Sequence, residues 1–230
     1  MKKSTIAMLA VVLILIPATL FLGSRLAGRS YYLTSTLVIL EILAPFFMAF
    51  EGRKPQAREL VVVAVLCALA VAARAAIPLP HFKPIFAVIL IAGVAFGPET
   101  GFLVGAVSAF ASNFFYGQGA YTPWQMLAYG MAGLTGGLCF ARGRLPRKPL
   151  PMALVGFGCV LLVVGPLLDT CSAFLSLSEI SSKAAWPFYA SGFPVNCTQA
   201  VCTFLTLMLI GKPFLEKLDR VRRKFGMTEA

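Results

Sequence analysis

"PIFAVILIAGVAFGPETGFLVGAVSAFASNFF" (Pro84–Phe115) contains two apolar runs that only three residues separate. The separator is Gly97-Pro98-Glu99, and glycine next to proline breaks a helix and reverses the chain. This stretch therefore predicts a tight helical hairpin. Its first helix, Pro84–Phe96, is shorter than its second, Thr100–Phe115.

The composition of the whole chain excludes a water-soluble domain. Hydrophobic residues make up 59% of its 230 residues and charged residues only 13%, whereas soluble domains carry about 25% charged residues. The apolar runs are continuous rather than alternating, which favours membrane helices over a β-barrel. We therefore predict an all-α polytopic membrane protein.

Eight apolar runs approach the roughly 20 residues that a helix needs to span the hydrocarbon core of a bilayer. The first run follows Lys2 and Lys3 and also resembles a secretory signal. It is long and no tidy small-x-small cleavage site follows it, so we favour a retained span over a cleaved one. The predicted spans are Thr5–Leu22, Tyr31–Phe50, Glu59–Ile77, Pro84–Phe96, Thr100–Phe115, Thr122–Ala141, Pro151–Cys171 and Pro187–Ile210.

Positive charge is distributed unequally between the segments that connect these spans. If the N-terminus is inside, fifteen Lys and Arg residues fall on the cytoplasmic side, four fall on the opposite side, and Arg74 lies within a span. Lys and Arg mark cytoplasmic loops, so this bias predicts that both termini are cytoplasmic. The same rule accounts for the net charge of +11 without a nucleic-acid partner.

The most polar uncharged stretch, "ASNFFYGQGAYTPWQMLAYG" (Ala111–Gly130), then lies at the outer mouth of the helix bundle. Its aromatic rings offer flat surfaces and its amides offer both donors and acceptors. Apolar walls with a few convergent polar groups are typical of a small-molecule site, whereas interfacial anchoring explains only the aromatic residues. We expect Trp124 at the loop mouth rather than in the core. The candidate ligand-binding residues of this stretch are Asn113, Tyr116, Gln118, Tyr121, Trp124 and Gln125.

Three ionisable residues lie inside predicted spans, where charge is costly and usually functional. Arg74 lies in the outer third of its span and Asp169 near the outer end of another. These two side chains either pair with each other or leave Arg74 to meet an anionic solute, and Arg74 favours a carboxylate or phosphate on that solute. Glu41 lies in mid-span, where it either belongs to a proton or cation relay or faces a polar neighbour.

Small residues recur at helical spacing in several spans. Ala64, Ala68, Ala72 and Ala76 line one helix face and allow another helix to approach closely. This alanine repeat predicts either packing inside the bundle or a docking face for a partner. Glycines spaced four apart predict packing inside the bundle, and these pairs are Gly93/Gly97, Gly101/Gly105 and Gly133/Gly137.

Catalytic and metal-binding motifs are sparse. The sequence has no Walker A, H-E-x-x-H or G-x-S-x-G motif and no metal-ligand spacing, so we expect no catalytic residue, metal or cofactor. An intramembrane hydrolase that uses His81 with Ser108 or Ser112 stays open as the alternative, as does a stand-alone permease. The six cysteines are predicted to be small buried hydrophobes, with a Cys171–Cys197 disulfide as the less favoured alternative.

From about Leu60 to Leu138 the chain resembles the substrate-binding S components of energy-coupling factor (ECF) transporters, which import vitamins in prokaryotes. The resemblance is strong in the centre of the chain, and the last two spans match by position only. It is carried by "AVLCALAVAARAAI" (64–77), "LPHFKPIFAVILIAGVAFGPETGFLVGAVSA" (79–109) and "NFFYGQGAYTPWQMLAYGMAGLTGGL" (113–138).

The resemblance implies a six-helix core over residues 59–213, with two additional N-terminal spans over residues 1–58 and a basic cytoplasmic tail over residues 214–230. It implies a multi-pass protein of the prokaryotic cell membrane that captures a vitamin or other micronutrient from outside. Such a protein is a substrate-binding subunit and not an enzyme. Its expected partners are a transmembrane coupling subunit and two ATPase subunits that hydrolyse ATP on separate chains.

The resemblance also assigns roles to particular residues. It places Ala64, Ala68 and Ala72 at the contact with the coupling subunit. It implies that two outer loops close over the substrate, and these map onto Leu79–Lys83, which contains His81, and Tyr116–Thr122. With Arg74, these loops complete the expected binding site.

The predicted topology can be tested by cysteine labelling. Because Gln118 is predicted to be external, Gln118→Cys should react with a membrane-impermeant thiol reagent in intact cells, and a reporter fused after Ala230 should be cytoplasmic. The unsubstituted protein, with its six native cysteines, gives the background labelling. Labelling of Gln118→Cys only after permeabilisation would overturn both the topology and the external position of this loop.

Overall fold

The computed structural model describes residues 6, 10–25, 37–38, 41, 57–177 and 181–224, and over these residues it is helical with no strand. The predicted all-α fold is therefore confirmed for this part of the chain. A π-helical turn precedes the first helix and another, Val160–Val164, lies within the sixth. The helices are α1 (Ile16–Arg25), α2 (Ala57–Ala76), α3 (Ile85–Phe96), α4 (Pro98–Tyr116), α5 (Thr122–Phe140), α6 (Pro149–Ser176) and α7 (Ser182–Lys224).

The helices differ more in length than the eight predicted spans do. By length and composition, α2, α6 and α7 are long and apolar enough to cross a membrane. Helix α3 has only 12 residues, which is about 18 Å against a hydrocarbon core of about 30 Å. Helix α3 is the short span that the sequence predicted at Pro84–Phe96, and α2 to α7 follow the order of the six spans predicted from Glu59 onward.

The helical hairpin predicted at Gly97-Pro98-Glu99 is confirmed between α3 and α4. Gly97 joins the two helices with a φ of 94°, a left-handed conformation that favours glycine, and Pro98 occupies the first turn of α4. Every residue of α3 except the last is buried. The short helix is therefore enclosed by its neighbours, and α5, α4, α7 and α2 all pack against it.

Helices α4 and α5 share the most extensive contact among the described elements, and glycines make this contact possible. A Cβ added at Gly133 would overlap the backbone carbonyl of Gly101, and one added at Gly105 would overlap the carbonyl oxygen of Tyr129. A Cβ added at Gly93 of α3 would overlap the carbonyl oxygen of Gly133. The glycine pairs thus pack inside the bundle, as predicted, and we call these contacts the glycine seam.

Helix α2 uses only one side for packing. Leu66, Cys67 and Ala70 are buried against the bundle, and the helix contacts α3 and α4. The four alanines of the repeat are exposed, so among the helices that the structure describes none packs on that repeat. Large apolar side chains flank them, including Val65 with 52% of its surface exposed. The face of α2 that carries the alanine repeat therefore points away from the helices that the structure describes.

Helix α7 is longer than its predicted span. Its 43 residues continue through three internal prolines and past residue 213, where the sequence suggested the start of a tail. Leu215 and Leu218 are buried, and Arg222 donates a hydrogen bond of 3.1 Å to the carbonyl oxygen of Ala95 at the end of α3. Asp219 forms an ion pair of 3.7 Å with Arg147. We call this end of the bundle the basic end.

The N-terminal part of the chain contributes to the same core. Ile16 and Leu20 of α1 and the buried Val38 belong to the main cluster of buried apolar residues. The hydroxyl of Thr19 donates a hydrogen bond of 2.6 Å to the Glu41 carboxylate, so this mid-span acid faces a polar neighbour. Most of the second additional span, predicted over Tyr31–Phe50, lies outside the described residues. All six cysteines are free, which excludes the alternative disulfide.

The glycine seam predicts a sharp difference between two glycine-to-alanine substitutions. Gly133→Ala should lower the free energy of unfolding by about 1–3 kcal/mol or more, because the new methyl group meets backbone atoms that cannot rotate away. Gly158→Ala in α6 is the control, since its added Cβ meets nothing within 4 Å and alanine favours a helix interior. Thermal unfolding of the purified variants in detergent measures both. Equal stability would show that α4 and α5 can separate.

Candidate functional site

Three helix ends meet at the end of the bundle opposite the basic end. They are the last turn of α2, the last turn of α4 and the first turn of α5. Each carries polar side chains into this junction, and each belongs to a helix that is otherwise largely apolar. We call this the amide end, because the amides of Asn113 and Gln125 lie at its centre.

Asn113 is completely buried and connects two helices through its amide. Its Nδ2 donates hydrogen bonds of 3.2 Å to the hydroxyl of Thr122 and 2.8 Å to Oε1 of Gln125, both on α5. Its Oδ1 accepts a hydrogen bond of 3.0 Å from Arg74 on α2. A buried amide satisfied on both sides fixes the orientation of its partners, since any unpaired polar group here would carry a desolvation cost.

The guanidinium of Arg74 is held by neutral groups. Its Nη1 donates to Oδ1 of Asn113 and to the hydroxyl of Ser112. Its Cζ lies 4.6 Å from the ring centroid of Tyr116 and 5.8 Å from that of Tyr129, within the range of cation–π attraction. The hydroxyl of Tyr116 also donates to the carbonyl oxygen of Arg74, at 3.3 Å.

The side chains of Arg74, Ser112, Asn113, Thr122 and Gln125 therefore form one hydrogen-bonded group, which we call the Arg74 cluster. Arg74, Asn113 and Gln125 were candidates from the sequence. The sequence suggested Ser112 only as a possible nucleophile and Thr122 only as the last residue of the outer loop Tyr116–Thr122. Thr122 precedes a first-turn proline, which is where a polar helix cap is expected, so the sequence did carry a signal for it.

The loop between α4 and α5 folds back on itself. Gln118 accepts a hydrogen bond of 2.9 Å from Thr122 and donates one of 3.0 Å to the carbonyl oxygen of Phe110. The hydroxyl of Tyr121 donates to the carbonyl oxygen of Gly117, at 2.5 Å. Gln118 thus joins the Arg74 cluster through Thr122, whereas Tyr121 makes its hydrogen bond within the loop.

Trp124 does not lie at the loop mouth. Only 7% of its surface is exposed, and its ring centroid lies 5.3 Å from that of Phe174 on α6. The expectation that Trp124 lies outside the core is therefore wrong. A tryptophan near a helix end satisfies the interfacial pattern whichever way it points, and here it points between α5 and α6.

His81 lies apart from the Arg74 cluster. It is exposed and has a φ of 57°, in the turn that precedes α3. The neighbouring Lys83 is tied to α7, because Gln199 accepts from its backbone nitrogen at 3.3 Å and donates to its backbone oxygen. Among the described residues, no hydrogen bond joins His81 to Arg74, Asn113 or Gln125.

Asp169 is not the partner of Arg74. Its Oδ2 accepts a hydrogen bond of 2.8 Å from Asn196 on α7, and Gly192 lies directly against its carboxylate. No ion pair between Asp169 and Arg74 is present. Of the two alternatives that the sequence left open, the structure therefore excludes mutual pairing. The charge of Arg74 is then left without a carboxylate within the described part of the chain.

The groups at the amide end can recognise a ligand through hydrogen bonds, through the positive charge of Arg74 and through contact with aromatic rings. Ser112 accepts from Arg74 and donates 3.0 Å to the carbonyl oxygen of Ala109, and His81 lies elsewhere, so this structure does not assemble a serine–histidine pair. Over the described residues, no group of three or more His, Cys, Asp and Glu side chains could hold a metal ion.

A family model described as "ECF-type riboflavin transporter, S component" matches residues 54–219. The chain belongs to this family. The match covers α2 to α6 completely and α7 up to residue 219. It therefore includes the whole Arg74 cluster. The resemblance seen in the sequence is thereby confirmed, and this S component is a multi-pass membrane protein with a role in transport.

One curated relative is a UPF0397 protein of Vibrio atlanticus (strain LGP32), which is 35% identical over 96 residues. This alignment covers 40% of the S component and 52% of the relative. The chain thus spans about half the length of this curated relative. No solved structure matches the S component.

The Arg74 cluster predicts that Asn113 stabilises the S component. Asn113→Leu keeps the size of the side chain but removes one hydrogen bond each from Thr122, Gln125 and Arg74, which should lower the free energy of unfolding by about 1–3 kcal/mol. Thr206→Val is the control, because the Thr206 hydroxyl donates to the carbonyl oxygen of Cys202 in its own helix and joins no second helix in the described part of the chain. Thermal unfolding in detergent measures the difference. An Asn113→Leu protein as stable as Thr206→Val would mean that the cluster is not coupled.

Proposed function

We propose that this S component captures a small vitamin or related micronutrient from outside the cell. The solute is held at the amide end and delivered to a transmembrane coupling subunit, which separate ATPase subunits drive. The observation that supports this proposal most is the Arg74 cluster. A cation, two amides and two hydroxyls converge there at the end of an apolar bundle, and two tyrosine rings border them.

Small-molecule sites combine apolar walls with a few placed polar groups, which is the chemistry found at this end. The binding residues of this proposal are those expected from the sequence, namely Arg74, His81, Asn113, Tyr116, Gln118, Tyr121, Trp124 and Gln125. Asn113 donates a hydrogen bond to Gln125, so a ligand that replaces this hydrogen bond must supply an equivalent donor and acceptor. This requirement selects solutes with a polar edge on a ring system.

Riboflavin is the first ligand to test, because the matching family is described as a riboflavin transporter. The experiment is a binding screen of the purified S component against a vitamin panel, by native mass spectrometry and thermal shift. The proposal expects one member to bind stoichiometrically and raise the unfolding temperature. Absence of binding by every member of a broad panel would contradict it.

The exposed face of α2 is the proposed contact for the coupling subunit. Ala64, Ala68 and Ala72 lie on it and are exposed in the described part of the chain, and small side chains allow close helix–helix approach in a membrane. This face is on α2, whereas the last described helix, α7, packs on α3 and α6. The proposed docking face therefore lies on a different helix from the basic C-terminal part of α7.

Two leucine substitutions on α2 separate docking from folding. Ala68→Leu places its new group on the exposed face, so the S component should fold and bind ligand normally but lose capture of the coupling subunit and uptake. Ala70→Leu is the matched control, because Ala70 is completely buried and the same addition overpacks the core. It should destabilise the protein and reduce binding.

Ligand affinity, pull-down of the coupling subunit and uptake are to be measured on the same preparations. Loss of pull-down by Ala68→Leu with unchanged ligand affinity supports the docking face. Normal pull-down and uptake by Ala68→Leu, and also by the bulkier Ala68→Trp, would show that the coupling subunit binds elsewhere. Uptake without any coupling subunit would favour a stand-alone permease.

A further inference from the structure

Over the residues that the structure describes, one edge of the Arg74 guanidinium makes no hydrogen bond. The two hydrogen bonds from this group both start at Nη1, and in the part of the chain that the structure describes Nε and Nη2 have no partner. A guanidinium carries five N–H donors in a rigid fork. The Nε and Nη2 donors point the same way and match the two oxygens of a carboxylate or phosphate.

In the described part of the chain, the groups that contact the charged guanidinium of Arg74 are neutral. It donates hydrogen bonds to side-chain oxygens of Ser112 and Asn113. It also lies within cation–π distance of the rings of Tyr116 and Tyr129. Asp169, the acid that the sequence offered as a partner, is bonded to Asn196 instead. A cation at the edge of an apolar bundle is costly without a counter-charge, and such residues commonly mark a substrate path.

The helix dipole of α2 offers a competing explanation. Arg74 lies in the last turn of α2, where a cation is favoured by the partial negative charge of the helix end. That interaction does not require a fixed side-chain orientation. Here Nη1 is fixed by two oxygens and the guanidinium lies over the Tyr116 ring, so the orientation is set and a specific edge remains open.

We propose that the substrate of this S component carries an oxyanion, a carboxylate or a phosphate, and that Nε and Nη2 of Arg74 bind it. This inference rests on the proposed function and adds the chemical class of the ligand. The anion completes the hydrogen bonds of the guanidinium and supplies the missing counter-charge. Neutral analogues of the same ring system are then discriminated against, because they leave a partly buried cation unpaired.

Matched pairs of ligands that differ only in this group test the proposal. Suitable pairs are flavin mononucleotide with riboflavin, pantothenate with pantothenol, and biotin with biotin amide. Dissociation constants are measured on the full-length protein in a non-ionic detergent. In the pair that binds, the anionic member should bind at least about tenfold more tightly, which is the usual scale of a charge-assisted hydrogen bond.

Substitution of the arginine identifies the group responsible. Arg74→Gln should weaken the anionic member about tenfold or more and the neutral member by less than about threefold, and Arg74→Lys should keep part of the preference because it keeps the charge. Arg220→Gln, at an exposed position of α7, is the control and should change neither constant.

Each remaining result overturns the inference in a recognisable way. If the neutral member of the binding pair binds as tightly as the anionic one in the unsubstituted protein, the oxyanion proposal fails while the proposed function stands. This comparison does not depend on whether the Arg74 variants fold. If added phosphatidylglycerol abolishes the preference by competition, the edge belongs to a lipid phosphate. If no member of any pair binds, the proposed function fails as well.

Discussion

The backbone of α4 touches the backbone of α5 at Gly101 and Gly133, and the positions of the other helices follow from this contact. Each step of four residues along α4 is matched by a step of about four residues back along α5, from Gly101–Gly133 to Gly105–Tyr129. Continued in the same register, the two helices bring Asn113 opposite Thr122, where the structure finds their hydrogen bond. The glycine seam therefore sets which polar side chains meet at the amide end. A wider spacing between the helices would leave the Asn113 amide out of reach of α5.

The same close packing explains why a cation is accepted next to the apolar core. Asn113 is fixed from α5, and it presents its Oδ1 to α2, so Arg74 finds an acceptor already oriented. Preorganised dipoles stabilise a charge without reorganising when the charge arrives. Ser112 adds a second acceptor one residue earlier on α4, and the Tyr116 ring adds a third contact one turn later. The site is thus built mainly from the last turn of one helix, with α2 and α5 as its walls.

The sequence predicted the parts of this molecule that depend on local rules and missed those that depend on helix rotation. The short, reversed hairpin followed from Gly97 and Pro98, and the intramolecular role of the glycine pairs followed from their spacing. Whether Trp124 points outward or toward Phe174, and whether Arg74 meets Asp169 or Asn113, depends on a few tens of degrees of rotation about a helix axis, which composition does not encode. Helix α7 extends beyond the predicted span Pro187–Ile210 at both ends, because that span was set by its apolar length and the helix continues through three prolines and into charged residues. A membrane helix tolerates prolines when its neighbours and its own turns satisfy the freed carbonyl groups.

Helix α7 grips the short helix α3 at both of its ends. Gln199 holds the backbone of Lys83, just before α3 begins, and Arg222, farther along α7, holds the carbonyl oxygen of Ala95 near its end. A shift of α3 along its axis would break some of these hydrogen bonds. They therefore fix the axial position of the turn that carries His81 relative to α7. The hydrogen bonds found for the loop of Gly117–Tyr121, by contrast, go only to itself and to the adjoining turns of α4 and α5. The amide end is therefore bordered on one side by a turn that is hydrogen-bonded to α7, the longest helix described, and on the other by a loop whose hydrogen bonds reach only α4 and α5.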